Sequence, residues 1–191
     1  GQYDGASHAL TATPSKTLTG ATYQWFKNGN AIVGATGKTY YVKNVADSGN
    51  YTCLVSGSYN GVGYTNLEST TAIVNITRKQ LTVTAANAAV IYGSEAPAYA
   101  LSYSGFAAAD DASVLKGAAK ANCTYAKGSN AGEYDITVDL NDLTAANYSI
   151  KTVDGKLTVK QLPVSLEWSG TKLEATGSEQ SVTATVKNAV G

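Results

Sequence analysis

The residues able to do chemistry are few in this chain, and they stand far apart. His8 is the sole histidine, so any Ser-His-Asp or Cys-His arrangement would have to use it. It lies in the alternating run His8-Ala9-Leu10-Thr11-Ala12-Thr13, where it reads as a surface strand residue. The two cysteines, Cys53 and Cys123, make neither a Cys-x-x-Cys pair nor a zinc spacing. Two readings stand for them. Each is a free buried thiol acting as a small hydrophobe, or the two bridge, which needs their Cα atoms within about 7 Å.

Asp110-Asp111 and the set Asp135, Asp139 and Asp142 are the acidic clusters to weigh for calcium. Neither carries the Asp-x-Asp-x-Asp-Gly loop. Asp139-Leu140-Asn141-Asp142 suits an Asx turn, so turn chemistry is the first reading and a weak Ca²⁺ site the second. Glycoside hydrolysis would need a cleft holding paired carboxylates, one with a raised pKa, and small β-modules rarely supply one. Gly61-Val62-Gly63 sits between two strands with no helix start to hold a phosphate, so it reads as a loop. Tyr59 and Tyr64 flank it. Tyrosines there either stack on a partner or a sugar or serve as cross-strand packing. No Lys, Asn and Asp trio singles itself out for an intramolecular isopeptide bond. No catalytic, cofactor-binding or metal-ligating residue is assigned, no cofactor is expected, and ligand-binding residues are left open.

The elements that must position these residues are strands. In 191 residues there are thirteen Tyr and nineteen Gly, and Thr and Val recur in alternating runs, a strand-and-turn composition. Charged residues make up only 15%, with fourteen positive and fourteen negative. That balance offers no basic footprint for nucleic acid and no Lys/Arg cluster for anionic lipid. No apolar stretch reaches the roughly 18 residues of a membrane span, so direct membrane insertion is not expected. The N-terminus lacks the charged and apolar regions of a signal peptide. Gly1 reads as a cloning scar, and both ends are expected to be cut from something longer.

Thr22-Tyr23-Gln24-Trp25-Phe26-Lys27 alternates and ends at Asn28-Gly29-Asn30, a hairpin signal because Asn-Gly tolerates the positive φ of a type I′ turn. Ala31-Ile32-Val33 is the expected return strand, and Thr39-Tyr40-Tyr41-Val42-Lys43 another strand. Asp47-Ser48-Gly49-Asn50-Tyr51-Thr52-Cys53 follows. This stretch resembles the corner before strand F of an immunoglobulin-like domain, with Tyr51 and Cys53 at the tyrosine-corner and cysteine positions and Trp25 at the core position of strand C. Residues 21–57 resemble bacterial members of the immunoglobulin superfamily, close to the I-set type. No cysteine precedes Trp25, so the strand B partner of Cys53 is missing and a residue such as Leu10 fills its place. The sequons at Asn50, Asn75, Asn122 and Asn147 read as chance matches in an Asn- and Thr-rich sequence.

A second set of landmarks begins after Arg78. It comprises Leu81-Thr82-Val83-Thr84, Val90-Ile91-Tyr92-Gly93, Tyr103-Ser104-Gly105-Phe106, Gly132-Glu133-Tyr134-Asp135-Ile136, Asn147-Tyr148-Ser149-Ile150 and Gly155-Lys156-Leu157-Thr158-Val159. In this order they resemble the MBG domain of the YGX type, a small β-grasp-like module repeated along bacterial surface and adhesin-like proteins. Ala109-Asp110-Asp111 departs from it, since the family often has Gly before the two acids. Residues 107–116 are the one stretch expected to make a short helical turn. Further on, Val164-Ser165-Leu166-Glu167-Trp168 signals a strand, and residues 176–185 echo residues 4–13, as in an array of β-modules.

The expected architecture is all-β. An immunoglobulin-like β-sandwich occupies residues 1–78, an MBG-type β-grasp-like module 79–160, and the opening strands of a further β-module 161–191. The resemblances imply a non-catalytic, extracellular segment of a modular bacterial protein, on the cell surface or wall-associated, or secreted. It would act as a stalk or spacer, and as an adhesion module if it binds a host, matrix or glycan ligand; otherwise its partners are neighbouring β-modules of the same chain. The alternative is an accessory, carbohydrate-binding segment of a secreted multi-domain enzyme.

Overall fold

The computed structural model describes residues 1–170 and 172–188. The first seven strands are β1 (His8–Thr11), β2 (Thr19–Lys27), β3 (Asn30–Ala31), β4 (Thr39–Val42), β5 (Gly49–Tyr59), β6 (Val62–Glu68) and β7 (Ala72–Val74). They make an immunoglobulin-like β-sandwich. One sheet runs β3-β2-β5-β6, with β7 pairing the start of β5, and the other pairs β1 with β4. Asn28 and Gly29 join β2 to β3 with φ of 52° and 81°, and Lys27 lies opposite Asn30. Two left-handed residues in succession are what a two-residue hairpin of this twist requires.

The core follows from the period of two along β5. Tyr51, Cys53 and Val55 are buried while the residues between them are not, because alternate side chains point to opposite faces. Trp25 lies directly across from Cys53, and its indole N–H donates to the Gly37 carbonyl at 2.9 Å. Ala12, Ala35 and Val42 complete the buried cluster, with Leu10, Leu18 and Tyr40 packed against it. Burying a side chain of this kind contributes about 1.5–3 kcal/mol, so packing around Cys53 stands where a bridge would otherwise be. Cys53 and Cys123 are both free thiols, and burial pushes the Cys53 thiol up. The Tyr51 hydroxyl donates to the Asp47 carbonyl at 2.6 Å, which closes the tyrosine corner. Burial, then Tyr40 and Asp47, push that phenol up to about 12.

The next seven strands are β8 (Lys79–Ala85), β9 (Ala88–Ile91), β10 (Leu101–Ser104), β11 (Lys120–Cys123), β12 (Gly132–Asp139), β13 (Tyr148–Val153) and β14 (Gly155–Lys160). One sheet has the order β11-β12-β14-β9 and the other β10-β8-β13. Within the first, β14 runs parallel to β9, which is the grasp-like feature of this segment. Ile136, Leu157 and Val159 form its core with Ala85 and Tyr125. The helical content of the described residues is two 3-10 turns, Val45–Asp47 and Ala112–Val114; the second falls within the stretch expected to make a helical turn.

Contacts divide the chain into two compact units. The first comprises Gly1–Thr82, Tyr103–Ala118 and Asp142–Lys151; the second comprises Val83–Ser102, Ala119–Asn141 and the described residues from Thr152 onward. Residues 103–118 and 142–151 come from the second landmark set yet pack with the first sandwich. In the tail, β15 (Ser165–Trp168) and β16 (Ala184–Lys187) form an antiparallel hairpin whose residues are all exposed. The echo of residues 4–13 does not reproduce their structure. Aligned on it, β1 would fall at residues 180–183, whereas β16 begins at Ala184. Shared Thr and Ala supply strand propensity without supplying a partner strand.

Candidate functional site

Within the first unit, the most built polar arrangement centres on Asp110. The Tyr3 hydroxyl donates to Asp110 Oδ2 at 2.9 Å, and the Tyr148 hydroxyl donates to the same oxygen at 2.5 Å. The Tyr148 oxygen also accepts the Ala107 N–H at 2.9 Å. Tyr3 and Tyr148 are only 3% and 4% exposed, and their rings meet edge to face at 5.5 Å, with Phe106 against Tyr148 at 6.0 Å. Leu81 and Ala107 close the cluster, with Val45 and Ile76 beside it. Desolvation raises both phenols, Tyr148 to about 12, and the Asp110 carboxylate adds to it. A buried hydroxyl is held by a partner or costs its desolvation, and here one carboxylate oxygen serves two.

Asn147 adds a second set of bonds beside this cluster. Its Nδ2 donates to Asn44 Oδ1 at 2.9 Å, and its Oδ1 accepts the Val45 N–H at 3.0 Å. Its carbonyl takes the Lys79 N–H at 3.0 Å. These bonds tie the sandwich, through Tyr3, Asn44 and Val45, to residues 107–110 and 145–148. The arrangement is a structural joint; its chemistry is to hold position.

The other sequence candidates have separate places. Asp111 accepts the Ser113 N–H at 2.8 Å and caps the 3-10 turn. Asp139 accepts the Asn141 N–H at 2.9 Å in an Asx turn, Asp135 pairs with Lys156 at 2.9 Å, and Asp142 accepts the Ala118 N–H at 3.0 Å. His8 lies 3.1 Å from Asp4 on the surface. Among the described residues no three His, Cys, Asp or Glu side chains converge as metal ligands, and no helix is long and apolar enough to cross a membrane. Asp110, weighed for calcium, instead serves two tyrosines. Asn147, read as a chance sequon, is a joint residue. Tyr3 was not singled out, since its partner lies 107 residues away.

Tyr59 and Tyr64 do come together. They line a groove of about 400 Å³ with Leu18, Val55 and Leu67, and Lys16 and Glu68 stand in its lining. All belong to the first unit. Residues 61–63 shape its hairpin: Asn60 and Gly61 have φ of 52° and 77°.

Residues 81–158 match the family model of the MBG domain (YGX type). No curated protein matches the sequence significantly. Among solved structures, the amphioxus IgVJ-C2 molecule is similar at 14% identity and a TM-score of 0.31, covering 75% of this chain and 97% of that one. The N-terminal four Ig domains of Dscam1 isoform 4.4 are similar at 16% and 0.30, covering 84% of this chain and 42% of that one. The fibronectin(III)-like modules of Clostridium thermocellum CbhA are similar at 14% and 0.27, covering 84% and 89%. The family match covers less than half of the chain, and the structure on either side of it is built of strands.

Proposed function

We propose that this chain is a non-catalytic spacer segment of a modular bacterial cell-surface or secreted protein. The observation that carries this reading is the joint. A loose linker would place polar, exposed residues between modules. Here Tyr3, Leu81, Ala107 and Tyr148 are buried together, and Asp110 and Asn147 bond across the same place. A stalk needs joints of this kind, because a flexible one would let its distal part collapse toward the surface. The MBG match at residues 81–158 supports the surface-protein setting. Antibodies raised against the chain should label intact cells of the source organism, or its culture medium. Signal that appears only after lysis would overturn the reading.

A further inference from the structure

We propose that the groove beside β6 is a binding site for a neutral saccharide. Its lining includes the apolar Leu18, Val55 and Leu67 together with Tyr59 and Tyr64. The volume of about 400 Å³ is within the range of small-ligand sites. Backbone geometry builds the groove in advance. Gly57 lets the chain entering β2 lie directly on β5, since a Cβ there would meet Leu18 Cβ at 2.9 Å and the Thr19 carbonyl at 3.1 Å. Across from it, Asn66 adopts φ of 51° and donates its N–H to Ser56 Oγ at 2.9 Å, which fixes the bend in β6.

Among the described residues, the polar groups of Lys16, Tyr59, Tyr64 and Glu68 in this lining are not held by other protein groups. The Ser69 hydroxyl in the same groove is different: it accepts the Cys53 N–H at 3.0 Å and donates to the Thr70 carbonyl at 2.9 Å. The chemistry of the free groups selects among ligands. An ammonium only donates, a carboxylate only accepts, and a phenol does both. A purely apolar ligand would draw nothing from these four groups. An anionic ligand would gain Lys16 and be repelled by Glu68. A sugar has a C–H face for a tyrosine ring and hydroxyls that both donate and accept, and it carries no charge to oppose either residue.

The test uses the whole chain, ¹⁵N-labelled, titrated with cellotriose, mannotriose and the N-acetylglucosamine trimer, and with a heparin hexasaccharide as the anionic arm. At least one neutral trisaccharide should shift the amides of Leu18, Tyr59, Tyr64 and Leu67 in a saturating way. Tyr64→Ala should weaken that binding by about tenfold or more while the amide spectrum away from β5 and β6 stays that of the folded parent, since Tyr64 lies in a paired strand rather than in the buried core. Glu68→Gln should weaken it less. The proposal is overturned if no neutral sugar moves groove amides, if Tyr64→Ala binds as well as the parent, or if only heparin binds. The spacer reading is independent of all these outcomes.

Discussion

Replacing Asp110 by alanine removes the acceptor of two phenol hydroxyls at once. Tyr3 and Tyr148 are 3% and 4% exposed, so water can reach their hydroxyls only from the side that Asp110 now covers. Hydrogen bonds to a charged group are worth about 1.5–3 kcal/mol each, and orphaned buried hydroxyls cost about 1–3 kcal/mol. Asp110 is itself only half-buried, which favours the lower end, and the Tyr148 oxygen keeps its bond from the Ala107 N–H. The expected loss is therefore about 2–4 kcal/mol. Urea unfolding followed at the ring protons of Tyr3 and Tyr148 reads this unit specifically. The variant Tyr3→Phe combined with Asp110→Ala should cost about 1–2 kcal/mol less than the sum of the single changes, since both remove the same bond. A loss below about 0.5 kcal/mol for Asp110→Ala, the size of an ordinary surface change, would refute the reasoning.

Three further outcomes are expected. Tyr51→Phe removes the bond to the Asp47 carbonyl and should lower the stability of the sandwich by roughly 1–3 kcal/mol; an unchanged urea midpoint contradicts the corner's contribution. Tyr51 and Tyr148 titrate near 12 in the folded chain against an ordinary 10.0. The folded state then holds protons that the unfolded state has released, so this stability is complete below pH 10 and is lost as pH rises toward 12. The loss is on the order of 3 kcal/mol per tyrosine at the shifts stated, read as a falling urea midpoint across that window, and Tyr51→Phe should flatten the slope. Thiol titration of the denatured, unreduced chain should count two free cysteines, in keeping with Cys53 and Cys123 as free thiols; a count of zero contradicts it.

Features that depend on neighbours in sequence were legible from sequence. Asn28-Gly29 declares its turn because left-handed backbone is a property of those two residues. The Tyr51 corner is legible because its acceptor, Asp47, is four residues away. Alternation along β5 likewise exposes the core face of one strand. The joint was not legible, since Asp110 finds its partners 107 and 38 residues away. An Asp-Asp pair reads the same whether it serves calcium, a turn or two distant phenols. The role of Asn147 in the joint was hidden for the same reason, its side-chain partners lying more than 100 residues upstream. In the tail, the echo of residues 4–13 marks strand-forming composition, and only pairing with β15 sets which residues, Ala184–Lys187, form the strand. For the groove, Tyr59 and Tyr64 stood out together, while Lys16 and Leu18 reach it only because Gly57 admits their segment.

The stiffness of the joint is tested most directly by ¹⁵N relaxation across the first unit. Amides of residues 1–78, 103–118 and 142–151 should report one rotational correlation time, as expected if Tyr3, Asp110, Tyr148 and Asn147 hold them as one body. Two distinct correlation times, with residues 103–118 and 142–151 reorienting independently of the sandwich, would contradict the spacer account at its centre.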